Sequence, residues 1–154
     1  MRLWDWSVAA WKKPGVEGLA LELQDIHGQH PPVLLWAAWA AAEGRPLDAD
    51  TIEEACDVAR AWEAAAIATL RELRRTLKKP IPDVDDAARE SLRAQVRAAE
   101  FAAERSLIEQ LETLTPPAAG APLPMAPALV ETARAWGRTV PRSQLGDLAA
   151  KLSA

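Results

Sequence analysis

Two long stretches of this chain place apolar residues at alternating spacings of three and four, and a stiff Pro80-Ile81-Pro82 joins them. The first set is Ile52, Ala55, Ala59, Trp62, Ala66, Leu70, Leu73 and Leu77. The second is Leu92, Val96, Ala99, Ala103, Leu107, Leu111 and Leu114. This spacing gathers each set on one face of an α-helix. A helix of about 30 residues is a rod of about 45 Å. Two rods with a short connector become antiparallel neighbours. The expected fold is therefore all-α, built on a long antiparallel helical hairpin at about 50–79 and 83–114. Facing residue numbers then sum to roughly 163, which predicts Trp62 near Phe101. Asp50, with Glu53 three residues on, predicts the cap of the first helix. Asp83, with Asp85 and Asp86 behind it, predicts the cap of the second.

Composition agrees with helices. About a fifth of the residues are alanine, a strong helix former, whereas tyrosine is missing and Phe101 is the one phenylalanine. Seven tryptophans supply nearly all the aromatic surface. Apolar residues make up 49%, enough for a core. A net charge of −4 makes nucleic acid an unfavoured partner. The single cysteine, Cys56, excludes an internal disulfide and is expected to be buried and inert. The longest apolar run, Val33 to Ala42, is half the length of a membrane span. No secretory signal pattern stands at Met1 to Asp5, so the expectation is a soluble, cytoplasmic protein.

Helix breakers divide the remainder. Pro14-Gly15, then Gly28 with Pro31-Pro32, then Gly44-Arg45-Pro46 delimit three short N-terminal helices, expected to cap the hairpin. Residues 115–127 hold five prolines and a glycine and read as an extended linker. Beyond it, Leu129, Val130, Ala133 and Trp136, then Leu145, Leu148, Ala149 and Leu152, mark two short amphipathic segments that cannot stand alone as helices. They dock on the body or await a partner. The expected organisation is a helical domain at 1–115, a Pro-rich linker at 116–127 and a short helical tail at 128–154.

Candidate chemistry is sparse. Glu22, Asp25 and His27, with His30 nearby, are types that can hold a metal or exchange protons. Yet His27 and His30 fall at or beyond a helix end, where the helix dipole favours them without any ligand. No nucleophile elbow and no Gly-rich phosphate loop is present. The clearest polar signal is basic: Arg71, Arg74, Arg75 and Lys78, with Lys79, form one stripe at helical spacing. It suits phosphates or an acidic partner surface, and equally a helix C-terminus. Glu100 and Glu104 are expected to pair with Arg60 across the hairpin as a fold-specifying ion pair.

Several motifs carry a resemblance. Leu3-Trp4-Asp5-Trp6, Pro14-Gly15-Val16, Leu21-Glu22-Leu23-Gln24-Asp25 with His27-Gly28, and Leu34-Leu35-Trp36 with Trp39 occur in that order. Leu70-Arg71-Glu72-Leu73-Arg74-Arg75 follows, then Glu100 and Glu104-Arg105. Over about residues 2–114 the chain resembles a family of short uncharacterised proteobacterial proteins, a domain of unknown function. Members carry Asp-Val-Asn before the Leu-Leu-Trp, where this chain has His30-Pro31-Pro32. The resemblance implies a helical cytoplasmic bacterial protein and brings no activity, catalytic residue or cofactor with it.

The functional expectation is a non-enzymatic protein-interaction or adaptor module with a protein partner, a homo-oligomer remaining open. Its tail could bind by laying an apolar face in a groove, or act as a lid by docking on its own body. The rival is a small-molecule or metal-binding helical protein, open to enzymatic activity, with a pocket around Glu22, Asp25 and His27.

Overall fold

The computed structural model describes residues 1–154 and is helical, without strands. The helices are α1 (Leu3–Trp11), α2 (Val16–Asp25), α3 (Pro31–Ala42), α4 (Ala49–Trp62), α5 (Ala68–Thr76), α6 (Asp86–Leu114), α7 (Met125–Trp136) and α8 (Arg142–Ser153). A π-helical turn, Glu63–Ile67, connects α4 to α5. The chain forms two units, one of Met1–Asp57 with Ile108–Ala154 and one of Val58–Leu107.

The first unit is organised around α3. Ten of its twelve residues are buried, so it is apolar on every side and needs cover on every side. Pro31 and Pro32 occupy its first turn, where the missing N–H groups would have no helical partner. Helices α1, α2 and α7 pack against α3, and α8 packs against α2 and α7. Trp36 and Trp39 are fully enclosed. Burying side chains of this size contributes on the order of 2–3 kcal/mol each before chain entropy is counted. Their indole N–H groups still find acceptors. Trp36 donates to Thr115 Oγ1 at 2.7 Å and Trp39 to the Met1 carbonyl at 2.9 Å.

The C-terminal segments dock. Leu129, Thr132 and Ala133 of α7 and Leu145 of α8 are entirely buried, and Leu148 and Leu152 nearly so. Buried Gln29 donates from Nε2 to the carbonyls of Ala133 (3.3 Å) and Thr139 (2.9 Å). Trp136 donates to the Gly28 carbonyl at 3.0 Å and stacks on His30 with ring centres 4.6 Å apart. The Pro-rich segment is also held. The N–H of Ala119 bonds the Gly44 carbonyl at 2.9 Å, and that of Leu123 the Ala41 carbonyl at 2.8 Å. Gly44 has φ 66°, and a Cβ there would lie 2.3 Å from the Gly120 carbonyl oxygen, so only glycine fits. Helix α7 starts at Met125, inside the expected linker.

The second unit comprises the end of α4, the π turn, α5, the connecting turn and most of α6. Its buried apolar side chains are Ala59, Ile67, Leu77, Val96, Ala103 and Leu107, and two charged residues, Arg89 and Glu100, are buried among them. Several details depart from expectation. The first rod ends at Thr76, leaving Lys78 and Lys79 beyond it. The π turn adds one residue to the winding, which moves Ile67 into the seam in place of Ala66. Asp48, not Asp50, caps α4, accepting from the Thr51 N–H at 2.8 Å. Asp85, not Asp83, caps α6, accepting from the Ala88 N–H at 2.8 Å. Asp83 sits in the connecting turn with φ 65°, a left-handed conformation that aspartate tolerates better than most residues. Phe101 is 54% exposed.

Candidate functional site

The densest set of charged contacts lies on one flank of the hairpin. Glu100 is nearly buried and Arg74 grips it with two bonds, Nε to Oε2 at 2.5 Å and Nη2 to Oε1 at 3.3 Å. Arg71 adds weaker contacts, Nη2 to Glu63 Oε1 at 3.6 Å and Nε to Glu100 Oε1 at 3.7 Å. Glu104 stands one turn beyond Glu100 on α6. Its burial, reinforced by the neighbouring Glu100 charge, pushes its carboxyl above the usual range, with Arg71 and Arg74 opposing the shift. The Glu100 hydrogen bond raises the Arg74 guanidinium further above its ordinary value.

This pairing corrects the expected register. Glu100 meets Arg71 and Arg74, not Arg60. Helical side chains lean toward their own N-terminus. In an antiparallel pair those directions converge, so Arg74 reaches away from the turn while Glu100 reaches toward it. Matching Cα levels alone missed several ångströms of side-chain reach.

Arg89 was also missed. It is 5% exposed and donates from Nη1 to the Leu77 carbonyl at 2.7 Å. That oxygen belongs to the C-terminal end of α5, where helical carbonyls lack internal partners. Arg89 also contacts Glu90 at 2.8 Å and Asp86 at 3.6 Å. The signal was present: extending the α6 stripe back by three from Leu92 lands on Arg89, and Glu100 lies four beyond Val96. A charge at a stripe position marks a buried polar contact.

The basic stripe thus divides. Arg71 and Arg74 are engaged by carboxylates and present no open fork to a phosphate. Arg75, Lys78 and Lys79 are exposed and free of acidic partners. The other sequence candidates lie in the first unit. Glu22 and Asp25 are exposed on α2, and His27 is half-buried just past its end. No three His, Cys, Asp or Glu side chains come together in a way that could hold a metal ion. Cys56 is buried. No helix is long and apolar enough to cross a membrane.

Residues 2–111 match the family described as "Protein of unknown function (DUF2390)". The chain belongs to this family. The match covers α1 to α5 and nearly all of α6, and leaves α7 and α8 outside it. No curated protein and no solved structure gives a significant match.

Proposed function

We propose that this DUF2390 member is a non-enzymatic cytoplasmic interaction module whose hairpin unit meets its partner. The carrying observation is how the chain distributes its unsatisfied surface. The C-terminal helices, candidates for a partner-seeking tail, have their apolar faces enclosed within the first unit. The hairpin unit keeps Arg75, Lys78 and Lys79 exposed and unengaged at the end of α5 and just past it. A run of exposed basic side chains without acidic partners is a surface that a complementary partner can neutralise. The basic ridge favours an acidic protein surface as partner. An enzymatic reading lacks a converging set of nucleophile, base and orienting group.

The test is affinity capture from bacterial lysate with the wild-type chain and an Arg75→Glu/Lys78→Glu variant in parallel. The wild type is expected to retain a defined protein, released by moderate salt, that the variant loses. Identical captures, or none from the wild type, would remove the reading.

A further inference from the structure

The opposite flank of the hairpin is free of charge. The Arg74–Glu100 contact defines which side of each helix faces the charged flank. Counting around α5 from there, Thr69, Leu73 and Thr76 fall on the other side, at spacings of four and three. Around α6, Ala88, Leu92, Gln95, Ala99, Ala102 and Ser106 do the same, at alternating fours and threes. None of the nine carries a charge, in a chain that is 26% charged. All are exposed except half-buried Ser106, and the two leucines are 41% and 47% exposed.

We infer that this flank is a self-association surface whose occupant is the same flank of a second copy. The inference rests on the reading of the hairpin as an interaction unit and names one of its partners. Two arguments select a second copy. First, a two-fold contact lays a patch on itself, so charge of one sign within it repels its own copy. A patch without charge meets that demand, whereas a partner of opposite charge gains nothing from it. Second, stable helical domains have two packed layers around a core. The hairpin unit is one layer with six buried apolar side chains. Two hairpins back to back make a four-helix bundle, and the alanines and small polar residues let the helices approach closely. The patch runs about 27 Å along α6 and about 10 Å along α5, and each helix is about 10 Å wide. That covers on the order of 400 Å² per copy, the size of a weak, transient contact, so the dimer is concentration-dependent.

Sedimentation velocity of the full chain from about 1 to 500 μM tests this. The wild type is expected to rise from 16.7 kDa toward about 33 kDa across that range. Leu92→Glu and, separately, Leu73→Glu should stay monomeric throughout. Both positions are exposed, so unchanged helical circular dichroism will show that each variant is folded. The Arg75→Glu/Lys78→Glu variant should dimerise like wild type. A wild type that stays monomeric at the highest concentration overturns the proposal, as does a dimer that survives both leucine substitutions. Neither result touches the basic ridge, whose own test is partner capture.

Discussion

Arg74 and Glu100 are joined by two hydrogen bonds although 26 residues separate them, and the carboxylate is almost completely buried. Such a pair adds little over a well-packed apolar contact, but breaking one side is costly. Arg74→Ala would leave the Glu100 carboxylate with only the 3.7 Å contact to Arg71. Arg74 is partly exposed, which reduces the loss, so the expected cost is about 2 kcal/mol. Glu100→Gln keeps an acceptor and should cost about 1 kcal/mol. The double variant should lose less than the sum. Urea unfolding of the four proteins measures this coupling. Strict additivity would show that the contact does not hold the hairpin.

Cap placement gives a paired comparison. Asp48→Ala removes the acceptor for the Thr51 N–H and should lower the melting temperature, whereas Asp50→Ala should leave it nearly unchanged. On α6, Asp85→Ala should cost about 1 kcal/mol and Asp83→Ala much less. Asp83→Gly should stabilise slightly, because glycine accepts φ 65° without strain. The Asp48 carboxyl is held below its ordinary value by its hydrogen bonds to Thr51. Its contribution is therefore present above the ordinary carboxylate range and lost as pH falls through the lowered value. Thermal scans of the variants at pH 7 and pH 3 check both points.

Much of this architecture could be read in advance because it follows from periodicity. Leucine and alanine at threes and fours specify a helix and most of its buried face, although Leu73, Leu92 and Ala99 of those stripes are exposed, and Pro80-Ile81-Pro82 specifies the turn. The π turn at Glu63–Ile67 was not legible, because residues such as Ala64, Ala65 and Ala66 suit an α-helix equally well. Which aspartate caps depends on where the first turn begins, and Asp48 and Asp50 are chemically equivalent on that question. The tail's docking was legible only as a possibility. Helix α3 is apolar on all sides and had to be covered, but nothing local shows that α7 covers it. The basic stripe was visible as a pattern. Its division into engaged and unengaged halves depends on Glu100, a residue across the hairpin.

The C-terminal helices should behave as core. Gln29→Ala removes two bonds to α7 and the segment after it, and strands two carbonyls, for about 2 kcal/mol. Leu129→Ala empties a fully enclosed site and should cost about 2–5 kcal/mol. Ending the chain after Pro124 should abolish cooperative unfolding of the first unit, because α3 would lose α7, a neighbour along much of its length. Differential scanning calorimetry reads all three. A truncated chain that melts as sharply as the full one would show the tail to be a removable lid.

Glu104 gives the opposite pH dependence to Asp48. Its carboxyl is pushed up by burial first and by Glu100 second. A raised carboxyl binds its proton more readily in the folded state than in the unfolded one, so folding is penalised where both states would otherwise be ionised. The penalty is absent below the unfolded value of about 4.5. It grows as pH rises toward the folded value and is complete above it. Glu104→Gln removes the ionisation and keeps the shape. At pH 7 the variant should melt higher than wild type, by roughly 1–3 °C, since Glu104 retains some solvent contact. At pH 4 the two should coincide. The same substitution leaves Arg71 to Glu63 and Glu100, and Arg74 to Glu100, so a lower melting temperature at pH 7 would mean that attraction from the arginines outweighs the burial of the charge.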